Sequence, residues 1–338
     1  MTYADVALRL PSASARWRSP AFREELRAWV SDEVGEPTSL EPVKIRAWAS
    51  VWRAETPVGV QFAKQNCATQ SFEAAVLAEL NDLAPHHVVP LTAVDLARGL
   101  LMTPDQGPVM AAASYDDLDA WCRVVAAGAS LQREVTPYVD RLAAAGLDTL
   151  EPRDAVEYVA RLLDGFAHLP DADPRAMPPE RRAAVRAQLP TIQRRVEQVA
   201  ALGLPTTLCH NDLHGNNVFD IDGELRFFDF GDALLMEPLA ALTLPLTVLA
   251  DALGAGPDDS GLWRVADAVL EVWSDVVPAA ELRAALPAAL QLGCLGRVVT
   301  WVRCLAPMDD AELAEWGSAA GVALASLLEP PPLGHLPG

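Results

Sequence analysis

Leu208-Cys209-His210-Asn211-Asp212-Leu213-His214-Gly215-Asn216-Asn217-Val218-Phe219-Asp220-Ile221-Asp222-Gly223-Glu224-Leu225-Arg226-Phe227-Phe228-Asp229-Phe230-Gly231-Asp232 interrupts a second half of the chain that is otherwise helical in pattern and rich in Ala and Leu. Asp222-Gly223 between two apolar runs is a strong two-residue hairpin signal, because the favoured turn needs positive φ at both central residues. Centring a hairpin there pairs Asn217 with Phe228. Asn217 and Asp229 then meet at the open end of the hairpin, and Asp212 stands on the loop five residues before Asn217. Three polar side chains converge.

Hard oxygen donors placed this way suit Mg²⁺, which keeps several waters and is shared between one or two carboxylates and substrate phosphates. A further carboxylate beside the ion, free to orient a hydroxyl, completes a site for phosphoryl transfer. The spacing His-x-Asp-x-x-x-x-Asn followed by Asp-Phe-Gly is the signature of a kinase catalytic loop. Asp-Phe-Gly alone carries little weight. Joined to the loop motif by a hairpin of the right length, it carries much more.

Outward from this block the chain divides in two. Residues 19–34 read as an amphipathic helix, with Phe22, Leu26, Trp29 and Val30 at helical spacing, Ser19 as its N-cap and Gly35 as its stop. From Val43 the period falls to two: 43–48, 51–54 and 58–64 alternate as an antiparallel meander ending at Lys64. Residues 71–83 return to helix, and 88–94 and 99–103 are two more strands. The turn-rich Thr103-Pro104-Asp105-Gln106-Gly107-Pro108 marks the boundary.

The 338 residues carry 26 Lys+Arg against 46 Asp+Glu, a net charge of −20, and are 51% hydrophobic. That size and apolar content support a sizeable core and rule out wholesale disorder. The acidic balance argues against nucleic-acid and anionic-membrane partners, which need clustered Lys and Arg, and is compatible with a cationic small molecule. Five cysteines without a Cys-x-x-Cys pair suggest neither a disulfide framework nor a zinc site. No basic-then-apolar leader opens the sequence, and the most apolar run, 238–250, is too short and interrupted to span a bilayer. The expectation is a cytoplasmic monomer or homodimer.

The catalytic-loop block resembles the aminoglycoside phosphotransferase family, the small-molecule branch of the protein-kinase-like fold, which includes antibiotic, choline, homoserine and sugar kinases. Protein kinases fit less well. His210-Asn211-Asp212 lacks their arginine, the chain after Asp229 turns helical almost at once, and His214 is usual in the small-molecule branch. The resemblance spans about residues 40–320 and implies an α+β, two-lobe fold with a small antiparallel-β N-lobe and a large, mainly helical C-lobe. The expected division is 1–102 for the N-lobe, 103–107 for the hinge, 108–328 for the C-lobe and 329–338 for a flexible, Pro- and Gly-rich tail.

The resemblance also implies roles. ATP, with GTP as the alternative, and Mg²⁺ are the expected cofactors. Asp212 is the catalytic residue that orients the acceptor hydroxyl, and Asn217 and Asp229 are the metal ligands. Lys64, one of only two lysines in the chain, is the phosphate-binding lysine. Glu73 is its expected ion-pair partner, with Glu79 the competing choice. Ser50, in the glycine-free loop 47–52, is the candidate phosphate contact from the first two strands. The Thr103 carbonyl and Asp105 amide would face the adenine edge, since Pro104 has no N–H to offer. His210 would pack beneath the metal-binding turn, His214 would support the loop, and Asp232 would stand behind the metal or cap the next helix. Trp263, Trp273, Trp301 and Trp316 read as core. No Asp precedes Leu239-Ala240, where the family often has a structural anchor.

The expected activity is transfer of the γ-phosphoryl group of ATP to a hydroxyl of a small molecule. An aminoglycoside-type or other antibiotic or amino-sugar acceptor leads, with a role in antibiotic resistance. A metabolic choline, homoserine or sugar kinase, and a catalytically silent nucleotide-binding relative, are the alternatives. The acceptor pocket would be built by helices after residue 240.

Overall fold

The change of period near residue 40 is where the sheet begins. In a computed structural model, which describes residues 5–110 and 116–336, β1 (Ser39–Ile45), β2 (Ala49–Thr56), β3 (Gly59–Asn66), β4 (Ala93–Asp95) and β5 (Leu100–Pro104) form one antiparallel sheet in the order β1-β2-β3-β5-β4. Along β2 the alternation sends Ser50, Trp52 and Ala54 to one face, where they are buried. That face is covered by the helices Ala13–Trp17 and Pro20–Val34, whose Trp17, Phe22, Leu26, Trp29 and Val30 join Trp52, Ala54 and Ala63 in a core of their own. Ser19 caps the second helix as its sequence suggests, accepting the Phe22 N–H at 3.2 Å. The opposite face of the sheet looks into a cleft.

The large lobe is assembled around the helix Ala279–Leu305. Its 27 residues are apolar enough in length and composition to cross a membrane, yet the window that meets this test is 89% buried inside the lobe. A helix surrounded by neighbours has no polar face to show, which accounts for its all-round apolarity. In front of it lie the short strands β6 (Thr207–Cys209), β7 (Val218–Ile221), β8 (Glu224–Phe227) and β9 (Leu234–Met236). β7 and β8 form the hairpin, with Asp222 and Gly223 both at positive φ and Ile221 opposite Glu224. β6 pairs with β9.

Several boundaries differ from the sequence reading, each for a local reason. The first hairpin turns at 46–48, where the Arg46 N–H bonds the Ala49 carbonyl, so Ser50 sits inside β2. Of the expected strand 88–94 only Ala93 and Val94 fall in a strand. Val88 and Val89 reach across to Phe227 instead and tie the small lobe to the β7–β8 hairpin. After Asp229 come a single 3-10 turn, Phe230–Asp232, and strand β9 before any α-helix. The N-terminal stretch belongs partly to the large lobe: Val6 lies in its core and the Leu10 N–H bonds the Ala306 carbonyl. The segment 329–336 is not a loose tail, because Leu333 is fully buried and the Gly334 N–H bonds the Pro257 carbonyl at 2.8 Å.

Candidate active site

The loop between β6 and β7 is held from below. His210 is buried, with Nε2 2.9 Å from the Phe228 carbonyl and its ring 4.8 Å from that of Phe230. Burial pushes the imidazole's pKa down, so it stays neutral, donates from Nε2 to the carbonyl, and accepts the Asp212 N–H at Nδ1 over 3.3 Å. This is the place beneath the turn expected for it. Asn217 donates from Nδ2 to the Asp212 carbonyl at 2.8 Å and to Asp212 Oδ2 at 3.1 Å, which leaves its amide oxygen unspent. His214 accepts the Asn216 N–H at Nδ1 and places Nε2 3.4 Å from Asp212 Oδ2.

Asp212 is thus surrounded by donors. Arg297, from the helix Ala279–Leu305, puts Nη1 2.9 Å from its Oδ1. Burial alone would push this carboxyl up, but His214 and the Arg297 charge outweigh burial and hold it below the usual carboxylate range. It is ionised at neutral pH. Arg297 Nη1 also lies 3.0 Å from Asp232 Oδ2. Asp232 is pushed up by burial and by the neighbouring Asp212 charge, and it takes a hydrogen bond from Gln70 at 2.8 Å. It caps no helix, since β9 follows.

Asp229 adopts a left-handed backbone, φ 66°, a strained conformation for a residue with a Cβ. Its side chain is 42% exposed and points into the cleft, 2.6 Å from Lys64 Nζ. Lys64 is also 2.7 Å from Glu73 Oε2, while Glu79 pairs with Arg141, so Glu73 is the lysine's partner. Burial would discharge Lys64, but the two carboxylates more than offset it and raise its pKa. Glu73 itself is 2% exposed, accepts the Phe230 N–H at 3.2 Å and is hydrogen-bonded by Asn66. The Asn217 amide oxygen and the Asp229 carboxylate are hard donors on neighbouring ends of one hairpin, a set that fits Mg²⁺ and not a soft metal.

Above this group a cavity of about 310 Å³ opens between the lobes. Val51, Phe62 and Leu101 of the sheet line one side, and Phe219 and Phe228, stacked at 4.7 Å, the other. Two expectations for its rim need correction. Ser50 is fully buried on the far face of β2, its hydroxyl without a partner among the described residues, so it does not reach the cleft. The Asp105 N–H is already spent on the Val60 carbonyl at 3.1 Å. In an antiparallel pair the residues facing β3 alternate, so Thr103 and Asp105 turn toward β3 while the Pro104 carbonyl and Gln106 N–H turn away from it. The backbone pair turned away from β3 is one residue along from the expected one, and the Gln106 side-chain amide donates to its Pro104 carbonyl at 3.3 Å.

Sequence reading missed Asn66, Gln70 and Arg297, which bond the Asp229-Phe230-Gly231-Asp232 turn or its neighbours from distant elements. No motif marks them. It also placed Trp301 and Trp316 in the core, whereas both are half-buried and line a second, larger cavity beside Arg297. Where the family's Asp is missing, Glu237 caps the turn Pro238–Leu242, accepting the Ala240 N–H at 3.1 Å.

A two-lobe protein with a five-stranded sheet over a helical lobe, and a loop-hairpin block at their junction, has the protein-kinase-like architecture. Solved structures share it. A macrolide 2′-phosphotransferase type I superposes with TM-score 0.61 over 91% of this chain and 97% of its own, at 16% identity. A choline kinase from Streptococcus pneumoniae gives 0.58 over 90% and 99%, at 14%, and an ethanolamine kinase of Plasmodium vivax 0.61 over 88% and 85%, at 13%. The chain has the fold of the aminoglycoside phosphotransferase and choline kinase group. No protein-family model and no curated protein sequence matches it.

Proposed function

We propose that the protein is a phosphotransferase that moves the γ-phosphoryl group of ATP, or GTP, to a hydroxyl of a small molecule. One observation carries this reading: Asp212, Asn217 and Asp229 come together beside the Lys64–Glu73 ion pair, at the edge of an apolar slot between the lobes. The slot between Leu101 and Phe228 suits a flat nucleobase, with the Pro104 carbonyl and Gln106 N–H at its edge. Lys64, fixed by Glu73, meets the phosphates. Asn217 and Asp229 would hold Mg²⁺, whose charge, when bound, offsets that of the phosphates. Asp212 orients the acceptor hydroxyl and takes its proton as the new O–P bond forms and the bond to the leaving nucleoside diphosphate breaks. The transition state is loose, so the protein's contribution is position and charge, worth up to roughly 7–11 kcal/mol for positioning alone.

The fold neighbours carry macrolide, choline and ethanolamine in their names, a wide span of acceptors on one architecture. The test is Mg²⁺-dependent ATP consumption over a panel of macrolides, aminoglycosides, amino sugars, choline and homoserine. Turnover on one class, lost in Asp212→Asn while ATP still binds, is the expected result. ATP binding with no turnover on any acceptor would sink the reading in favour of a silent nucleotide-binding relative, and turnover indifferent to Asp212→Asn would overturn the role given to Asp212.

A further inference from the structure

The second cavity has a volume of about 650 Å³, and Arg297 forms part of its wall. The same residue bonds Asp212 through its guanidinium, so the cavity is separated from the reactive carboxylate by one shared side chain, Arg297. The space is that of a drug-sized ligand, roughly 300–1,000 Å³; choline or homoserine would leave most of it to water.

Its walls are unusual in composition. Trp301 and Trp316 stack at 5.6 Å and 16°, and Trp48, from the β1–β2 turn, stands edge-on to both at 5.9 and 5.8 Å. Pro330, Pro331 and Pro332 form another part of the wall. These prolines are fixed by the buried Leu333, the Gly334–Pro257 backbone bond and the His335–Asp258 contact at 3.0 Å. Proline rings present apolar faces, offer no N–H, and have little freedom left to lose. Among the described residues only Asp251, Arg297 and Glu329 are charged in this wall, and Arg297 is already shared by two carboxylates. A polycation entering here would give up water around several ammonium groups and meet only two carboxylates, against indole and proline surface.

We propose that the acceptor is a large, mainly apolar alcohol with at most one or two cationic groups, held against the tryptophan cluster and the proline wall, and not a polycationic sugar. The proposal rests on the phosphotransferase reading for its chemistry, but the cavity's ligand preference can be measured without it.

The experiment has two arms. Calorimetric titration of the protein without nucleotide compares a set of macrolactone, sterol and polycyclic alcohols with kanamycin and with choline; ATP consumption is then followed on the same compounds. An apolar alcohol is expected to bind most tightly and to be phosphorylated. Trp316→Ala should weaken it about tenfold or more, as loss of one aromatic wall predicts, and Trp316→Phe should restore most of that. Replacing Pro330, Pro331 and Pro332 together by Ser should weaken it likewise. Tightest binding or fastest turnover with kanamycin or choline overturns the proposal, and so does an absence of binding by every apolar alcohol. Apolar binding that obeys the variants, in a protein that consumes ATP on nothing, overturns the phosphotransferase reading and leaves the cavity's preference standing.

Discussion

Arg297 Nη1 lies 2.9 Å from Asp212 Oδ1 and, at the same time, 3.0 Å from Asp232 Oδ2, so one guanidinium nitrogen holds the loop carboxylate and the carboxylate behind it together. The two acids come from opposite ends of the loop-hairpin block, and the cation comes from a helix more than sixty residues later. Without it, two half-buried carboxylates would face each other, and like charges drawn from water are costly.

Arg297→Gln should therefore lower kcat by about 10²-fold, as an ångström of misplacement at a reacting group does, while KM for ATP changes little. Steady-state kinetics separate the two, and a parallel rise in KM for ATP would point to general loosening of the lobe instead.

Gly231 approaches Asn66 so closely that a Cβ built there would lie 2.9 Å from Asn66 Nδ2 and 3.4 Å from Glu73 Oε2. Gly231→Ala should push Asn66 off Glu73 and loosen the grip on Lys64. The expected cost is ~1–3 kcal/mol of stability, read from the thermal midpoint, with a several-fold rise in KM for ATP.

Glu237 caps the turn Pro238–Leu242 through Oε2 and has a second, buried oxygen without a partner among the described residues. Burial pushes its pKa from 4.5 up to about 7, against the pull of the Leu239 and Ala240 amides. A carboxyl with a higher pKa folded than unfolded binds more protons in the folded state, so stability is greatest below the unfolded pKa and falls as pH rises toward 7, by on the order of 3 kcal/mol. Glu237→Gln should flatten this decline. The wild-type and variant melting temperatures should agree near pH 5 and diverge by pH 8, with the variant higher.

Leu333 is fully buried although it follows three consecutive prolines. Leu333→Ala should lower stability by about 2 kcal/mol or more, and limited proteolysis should then cut the segment 329–336. An unchanged melting temperature and an unchanged cleavage pattern would mean that this segment does not hold its wall.

The local signals were legible because they are short-range. Asp222-Gly223 sets the hairpin, the hairpin brings Asn217 and Asp229 to the same end, and the pairing of Val218 with Phe227 follows from that turn alone. Ser19 and Gly35 bound a helix by the same logic. Where a reading depended on register it slipped. Ser50 reads as a loop residue in 47–52 but lies in β2, because the turn closes earlier, at 46–48, and the backbone pair expected at Thr103 and Asp105 lies at Pro104 and Gln106, because a strand has period two and a shift of one exchanges its edges.

The sequence by itself determined the kind of protein: the loop, the hairpin, the lysine strand and the order of the two lobes are all written in contiguous residues. Only the tertiary structure decided what surrounds them. Arg297 reaches Asp212 across 85 residues, Trp48 meets Trp301 and Trp316 from the other lobe, and the prolines of the last ten residues close the second cavity. Periodicity and turn chemistry report a residue's near neighbours along the chain. A pocket wall is made of side chains brought together by folding, and no local pattern records which of them will meet.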